Sequence, residues 1–201
     1  MAQVPPRPAP LGGARPLIAV LGAGAGRRMG GAKLTRPCAG RPLGIWARDL
    51  AAGMPGADAI WIAGPAGDDG LAGPLPVVVN AEAADGIGTS LACAARAAAE
   101  RAAPALIIML ADMPMVTAAL LGRLMAARGA CAARYPDGRL GVPARFEPRG
   151  YPALMGLHGD SGGNRLLRRI GARAMDAEPG ELLDVDTEQA LAAAAAVLAA
   201  R

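Results

Sequence analysis

Short apolar runs alternate along the chain with longer stretches that are rich in alanine. The first run, LIAVL at residues 17–21, lies between Pro16 and a glycine-rich segment. A continuous apolar run of this length is typical of a strand that is buried on both faces of a sheet. Further strands are predicted at residues 59–63, 77–79 and 106–110. Proline and Asp-Gly signals within residues 130–146 predict a turn that joins two strands.

The segments between the apolar runs are long enough for helices. Helices are predicted at residues 43–53, 90–103, 117–128, 162–170 and 187–200, and N-caps at Ser90, Thr117 and Thr187. Alternation of strands and helices favours an α/β fold, a single domain with a mostly parallel, doubly wound sheet. Ligands of such folds bind at the carboxyl ends of the strands. We assign residues 17–201 to this domain and expect the proline-rich residues 1–16 to form a flexible tail.

Composition narrows the class of protein. Hydrophobic residues make up 53% of the 201 residues but aromatic residues only 2%, so we expect an aliphatic core. The longest apolar candidate, residues 190–200, is shorter than the roughly 20 residues of a membrane-spanning helix, and no signal-peptide pattern is found. Three widely spaced cysteines favour reduced thiols and a cytoplasmic location. The net charge of +4 comes from scattered basic residues, which favours an anionic small molecule over nucleic acid.

A glycine-rich loop follows the first predicted strand. Residues 21–33 read LGAGAGRRMGGAK, and a backbone with so few side chains lets its N–H groups approach a phosphate closely. Arg28 and Lys33 add positive charge. The loop is not a Walker A loop, because Gly-Lys is absent, nor a Gly-x-Gly-x-x-Gly fingerprint, because Arg27 and Met29 stand where the last glycine belongs. A tight turn with solvated arginines is the structural alternative.

Asp112 is the acidic residue with the clearest chemical setting. It lies in LADMP just beyond the apolar run 106–110, where a carboxylate at a strand end can bind the Mg2+ that accompanies a triphosphate. A cap of the turn before Pro114 is the alternative. Residues 86–90, GIGTS, precede a helix and offer N–H groups to a base or a phosphate. Ser90 alone can also be only a helix cap.

Two further acidic segments lie nearer the C-terminus. HGDSGGN at residues 158–164 joins the only histidine, His158, to Asp160. His158 is a candidate general base, and a surface histidine is the alternative. Asp184 and Asp186 in LLDVDTEQ are expected on one face of a strand. We interpret this pair as helix capping and dipole compensation rather than as catalytic.

The glycine-rich loop resembles the signature of the MobA-like nucleotidyltransferases, which include the molybdenum cofactor cytidylyltransferases. That signature is Leu-Ala-Ala-Gly-x-Ser-x-Arg-Met-Gly-x-x-Lys. The chain matches it at Leu21, Ala23, Gly24, Arg28, Met29, Gly30 and Lys33. It departs at Gly22, where the family usually has alanine or another small residue, and at Gly26, where a hydroxyl side chain is common. The LADMP segment around Asp112 matches the metal-binding motif of the family letter for letter.

The resemblance implies a Rossmann-like nucleotidyltransferase fold and an enzyme that uses Mg2+. It implies catalytic roles for Arg28, Lys33 and Asp112. It implies nucleotide-binding roles for Leu21, Gly22, Ala23, Gly24, Lys33, Asn80, Gly88 and Ser90. Metal contacts are implied for Asp112 and Asp160, and acceptor contacts for Gly159, Asp160 and Gly162.

The reaction implied by the resemblance is transfer of CMP from CTP to molybdopterin, with release of pyrophosphate. Ala23 favours CTP, because guanylyl-transferring relatives usually carry glycine there. A molybdoenzyme or its chaperone is the expected partner, whereas nucleic acid and membrane are not. One alternative is a guanylyl or other nucleotidyl transferase of the same family. Another is an inactive accessory protein that binds a nucleotide or cofactor. The departures at Gly26 and at Asn164, where the family more often has arginine, permit it.

Overall fold

The computed structural model describes residues 14–24, 33–68, 70–160 and 163–200. Its strands are β1 Leu17–Leu21, β2 Pro37–Cys38, β3 Arg41–Pro42, β4 Asp58–Ala63, β5 Val77–Val79, β6 Leu106–Leu110, β7 Cys131–Arg134, β8 Leu140–Phe146 and β9 Arg173–Asp176. Seven of them form one sheet in the order β5-β4-β1-β6-β8-β7-β9, while β2 and β3 pair as a small antiparallel hairpin.

The large sheet is parallel except at one strand. β8 runs antiparallel to its neighbours β6 and β7, and every other adjacent pair is parallel. The prediction of a mostly parallel α/β sheet is therefore confirmed. The strands predicted from apolar runs are present to within one residue, and the turn predicted in residues 130–146 joins β7 to β8.

Helices flank the sheet on both faces. In the described part of the chain they are α1 Leu43–Ala52, α2 Ile87–Glu100, α3 Ala118–Ala126, α4 Tyr151–Met155, α5 Gly163–Arg169 and α6 Glu188–Ala199. The five predicted helices are all present, with ends that differ by at most three residues. α4 was not predicted, because five residues are too few to show a helical period.

Two of the three predicted N-caps are confirmed. Thr117 Oγ1 accepts a hydrogen bond from Leu120 N–H, and Thr187 Oγ1 accepts one from Ala190 N–H. The prediction that Ser90 caps its helix is wrong, because α2 already begins at Ile87. Gly86 precedes it with a φ of +116°, a conformation that glycine adopts readily and that turns the chain into the helix. Ser90 consequently lies inside the helix and is buried.

Aliphatic side chains fill both faces of the sheet. α2, α4 and α5 pack on one face, and α1 and α3 pack on the other. A third cluster joins α6 to the β2–β3 hairpin and includes Val185 just before α6. All three cysteines are free and buried. Within the described ranges, no helix has both the length and the apolar character needed to cross a membrane. Of the predicted tail, only residues 14–16 are described.

Candidate active site

The carboxyl ends of β1 and β6 lie side by side in the centre of the sheet. The strands pair in register as far as Leu21 and Leu110, and Ala111 N–H donates to Leu21 O at 3.1 Å. The glycine-rich loop after β1 and the segment that carries Asp112 therefore leave the sheet at the same edge. Parallel α/β sheets bind their ligands at this edge.

Three carboxylates converge there. Oxygen atoms of Asp112, Asp184 and Asp186 all lie within 4.8 Å of one another. Val185 N–H donates to Asp112 O at 3.1 Å, and the Val185 side chain is buried in the cluster with α6. Because the side chain of Val185 is buried in the core, Asp184 and Asp186 on either side of it lie next to Asp112.

This placement corrects the interpretation of Asp184 and Asp186. Residues 183–187 form neither strand nor helix, so the two acids do not share a strand face. The side chain that caps α6 is Thr187. The sequence signal for this pair was an Asp-x-Asp pattern after two leucines. Spacing along the chain does not show that the pair contacts Asp112, which is distant in sequence.

Lys33 bridges two of the three carboxylates. Its Nζ lies 2.5 Å from Asp112 Oδ2 and 2.7 Å from Asp186 Oδ1. The side chain of Lys33 is 10% exposed and that of Asp112 17%. Lys33 is the only lysine among the 21 lysine and arginine residues of the chain. A compact ammonium suits a site between two carboxylates better than a planar guanidinium, which needs room for its fork of donors.

The charges of this cluster perturb one another. Burial lowers the pKa of Lys33, but Asp112 and Asp186 raise it by more, so the pKa ends above its ordinary value. Burial and then the negative charges of Asp112 and Asp186 raise the pKa of Asp184 to about 7, although Asp184 keeps contact with solvent. Burial and then the negative charges of Asp184 and Asp112 raise the pKa of Tyr135 to about 12. Tyr135 is thus a neighbour of the cluster that the sequence did not indicate.

The cluster fits a hard divalent cation. Asp112 Oδ1 is buried, and no described residue donates a hydrogen bond to it. A buried carboxylate oxygen without a donor is costly, and a cation would remove that cost. Oxygen ligands of this kind suit Mg2+ and Mn2+ alike. The three acids are therefore a candidate metal site for either ion.

The first part of the predicted nucleotide loop is placed at the same edge. Leu21 ends β1, and Gly22 N–H donates to Ile62 O at 2.9 Å. Ala23 lies beside Gly64, and Gly24 is exposed. Arg28 and Gly162 lie outside the described residues. The nucleotide-binding roles of the loop residues stay predictions.

Asn80 and Ser90 belong to a buried network of neutral side chains. Asn80 is 2% exposed, and its Nδ2 donates to Thr89 Oγ1 at 2.8 Å and to Ser90 Oγ at 3.0 Å. Asn80 Oδ1 accepts from Glu82 N–H at 3.1 Å, and Thr89 Oγ1 lies 2.8 Å from its acceptor Gly86 O. The network holds residues 80–86 on the first turn of α2. The predicted contacts of Asn80 and Ser90 to a nucleotide stay predictions.

The predicted acceptor segment lies on the start of α2. Gly88 N–H donates to Gly159 O at 2.9 Å, and a Cβ built on Gly86 would lie 2.6 Å from Asp160 Oδ1. Asp160 is thus beside the N-terminus of α2, and among the described residues it is not a member of the three-carboxylate cluster. His158 is exposed, with Nδ1 3.2 Å from Gly156 O. The acceptor and metal roles in this segment stay predictions.

The chain is similar in sequence and in structure to known proteins. The family model for the "MobA-like NTP transferase domain" matches residues 18–175. Purine catabolism protein PucB of Bacillus subtilis (strain 168) is 30% identical over an alignment of 185 residues, and this alignment covers 84% of this chain and 90% of PucB. The crystal structure of Rv0371c from Mycobacterium tuberculosis H37Rv has a TM-score of 0.77 at 27% identity, covering 94% of this chain and 99% of that one. The structure of Rv0371c in complex with manganese has a TM-score of 0.70 at 26% identity, covering 88% and 96%.

Proposed function

The chain belongs to the MobA-like NTP transferase family and is a nucleotidyltransferase, and from this premise we propose that it transfers CMP from CTP to the phosphate of a molybdopterin-type acceptor. The pairing of Lys33 with Asp112 beside the glycine-rich loop is the observation that carries the proposal. It combines, at one edge of the sheet, a cation for a polyphosphate with carboxylates for the divalent metal that a triphosphate brings.

In the proposed reaction, an oxygen of the acceptor phosphate attacks the α-phosphorus of CTP. A P–O bond to the acceptor forms, the bond from the α-phosphorus to the bridging oxygen breaks, and pyrophosphate leaves with that electron pair. The acceptor oxygen is already anionic, so positioning and charge neutralisation suffice without a strong base. Lys33 and Arg28 bind the triphosphate and the departing pyrophosphate. Backbone N–H groups of Ala23 and Gly24 hold the phosphates in place.

A bound Mg2+ would supply positive charge to the phosphate oxygens. Asp112, Asp184 and Asp186 would hold it, and Asp160 is proposed as a further contact from the acceptor side. Lys33 Nζ donates to oxygens of Asp112 and Asp186. An ammonium group has three donors, so Lys33 can keep these two contacts and donate to a phosphate oxygen with the third.

CTP is the proposed donor because Ala23 matches the cytidylyl-transferring members of the family, and GTP is the alternative. The product would pass to a molybdoenzyme or its chaperone. The similarity to PucB, a protein named for purine catabolism, favours a second and more specific candidate function. In this function, an enzyme of purine catabolism uses the product of the nucleotidyl transfer.

Pyrophosphate release tests the proposal. The purified chain is given Mg2+, molybdopterin and each of the four nucleoside triphosphates in turn, and we expect the fastest release with CTP. Release with GTP alone would support the guanylyl alternative. Binding of a triphosphate in a thermal-shift measurement without any release would support the inactive accessory protein. Lys33→Ala is expected to abolish release, and near-normal turnover in that variant would remove Lys33 from the mechanism.

A further inference from the structure

Trp61 packs directly under the start of the glycine-rich loop. It pairs with Val20 across the parallel strands β1 and β4, and both side chains are buried on the same face of the sheet. Gly22 lies two residues beyond Val20, so its hydrogen atoms stand where the next side chain of that face would be. The indole of Trp61 occupies the space that a side chain at position 22 would need.

The distances show how closely the two residues approach. A Cβ built on Gly22 would lie 2.1 Å from Cζ2 and 2.3 Å from Cε2 of Trp61. A Cβ built on Gly44 of α1 would lie 3.3 Å from Cη2 of Trp61, the ring atom next to Cζ2, and 3.3 Å from Cβ of Leu34. The ring thus packs against both the start of the loop that follows β1 and the helix α1, next to the segment that carries Lys33.

The indole also carries an unsatisfied polar atom. Trp61 Nε1 is buried and has no hydrogen-bond acceptor among the described residues, and it would lie 2.7 Å from a Cβ on Gly22. A leucine at this position would fill the apolar cluster without burying such a donor. The size and shape of the ring therefore explain its presence better than the burial of apolar surface does.

We infer that Trp61 is a positioning residue for the phosphate-binding loop, and that it restricts position 22 of that loop to glycine. The indole fixes how far the backbone of Gly22 lies from the sheet. It thereby positions the N–H groups of Ala23 and Gly24, which follow Gly22. With a smaller residue at position 61, the loop moves toward the sheet. The side chain of an alanine at position 22 then fills the space that the indole had occupied. This inference rests on the proposed binding of a triphosphate by the loop.

The test is a double-mutant cycle of Gly22→Ala and Trp61→Leu. The dissociation constants of CTP, GTP, ATP and UTP with Mg2+ are measured by calorimetry, and KM and kcat for CTP are measured in the transfer reaction. We expect each single substitution to weaken CTP binding at least tenfold and to raise KM more than it lowers kcat. The double variant is expected to bind CTP within about threefold of the wild type, since each substitution compensates for the other. Normal binding by Gly22→Ala, or losses that simply multiply in the double variant, would overturn the inference.

Trp46→Leu is the matched control, because Trp46 is the other tryptophan of the chain. Its Nε1 donates to Cys38 O at 3.0 Å, and it packs against the cluster with α6 rather than the one that holds Trp61, so this variant should lose stability without the tenfold loss of CTP binding. If Trp61→Leu does not fold, CTP binding by Gly22→Ala still decides the positioning role. The Tm of Gly22→Ala should fall, whereas the Tm of Gly24→Ala should not, because a Cβ on Gly24 meets no atom of the described residues within 4 Å.

The two proposals fail in different ways. If the wild-type chain binds none of the four triphosphates, the proposed function is wrong, and coupling between positions 22 and 61 in Tm still tests the packing. If the wild type binds CTP and Trp61→Leu binds it equally well, the function stands and the positioning role of Trp61 is wrong.

Discussion

The charged cluster of Lys33, Asp112, Asp184 and Asp186 differs from the neutral network around Asn80 in how its polar atoms are paired. In the cluster Lys33 pairs with two of the three carboxylates, and Asp112 Oδ1 receives no hydrogen bond from the described residues. In the network, the amide of Asn80 has partners for both its nitrogen and its oxygen. Surplus charge costs stability until a ligand relieves it, whereas a satisfied network stabilises the fold without any ligand. The first region is therefore suited to binding and the second to holding the start of α2.

The largest expected effect comes from the cluster. Asp112→Asn keeps the shape of the side chain but removes a charge that the proposed metal and Lys33 both need. We expect pyrophosphate release to fall on the order of 10²–10³-fold, as for other groups that stabilise charge in a transition state. Asp137→Asn is the control, because Asp137 is exposed and pairs with Arg139 in the β7–β8 hairpin. A loss below tenfold for Asp112→Asn would contradict the central role of the cluster.

Breaking the neutral network should act on stability. Asn80→Ala leaves buried oxygen atoms of Thr89 and Ser90 without their donor, which costs about 2 kcal/mol of the free energy of unfolding. For a chain of this size we expect Tm to fall by roughly 4–8 °C, measured by differential scanning calorimetry. Thr187→Ala removes an exposed helix cap and should cost about 1 kcal/mol. An Asn80→Ala variant as stable as the Thr187→Ala variant would show that the network is not the stronger element.

Removing the cation of the cluster should strengthen metal binding. Lys33→Met has similar length but no charge, so Mn2+ no longer competes with an ammonium for Asp112 and Asp186. We expect the affinity for Mn2+ without nucleotide to rise about fivefold or more, since a unit charge at 4 Å contributes ~1 kcal/mol even in water. Free Mn2+ is measured by electron paramagnetic resonance. Arg36→Met is the control, because Arg36 pairs with Glu188 at 2.7 Å outside the cluster. Unchanged affinity in Lys33→Met would mean that Lys33 and the metal do not share these oxygens.

The smallest effect is a dependence on pH. The pKa of Asp184 is raised to about 7 in the folded chain, against about 3.9 for an unfolded aspartate. Between these values the folded state binds the proton more tightly, so the contribution of Asp184 to stability declines from pH 4 to pH 7 and is level above. Asp184→Asn should therefore raise Tm at pH 8 in metal-free buffer, with a difference that closes by pH 4. Asp58→Asn serves as the control, and a difference that grows as the pH falls would contradict the prediction.

Local sequence patterns predicted the strands of the sheet and the two segments of the candidate site that contain Gly22 and Asp112. The apolar runs at β1 and β6 predicted buried strands, and the residues just after them, Gly22 and Asp112, were predicted as ligand-binding. The strands were predicted correctly because strands buried on both faces need continuous apolar runs, and the two segments share an edge because they follow neighbouring parallel strands. The ligand-binding roles of Gly22 and Asp112 stay predictions. The predicted cap at Ser90 was wrong because α2 begins earlier, directly after Gly86 and its positive φ. Glycine before a helix gives no sequence signal as clear as a serine or threonine cap.

The sequence alone was enough to predict the α/β class and to single out the glycine-rich loop and Asp112. Each of these depends on neighbours within a few positions. Folding was needed to bring Asp184 and Asp186 to Asp112, because that contact depends on Val185 entering the core with α6. Folding was also needed to pair Trp61 with Gly22, because strand order in the sheet sets which residues approach across it. Contacts between distant segments come from packing in three dimensions, and no spacing within a single segment contains them.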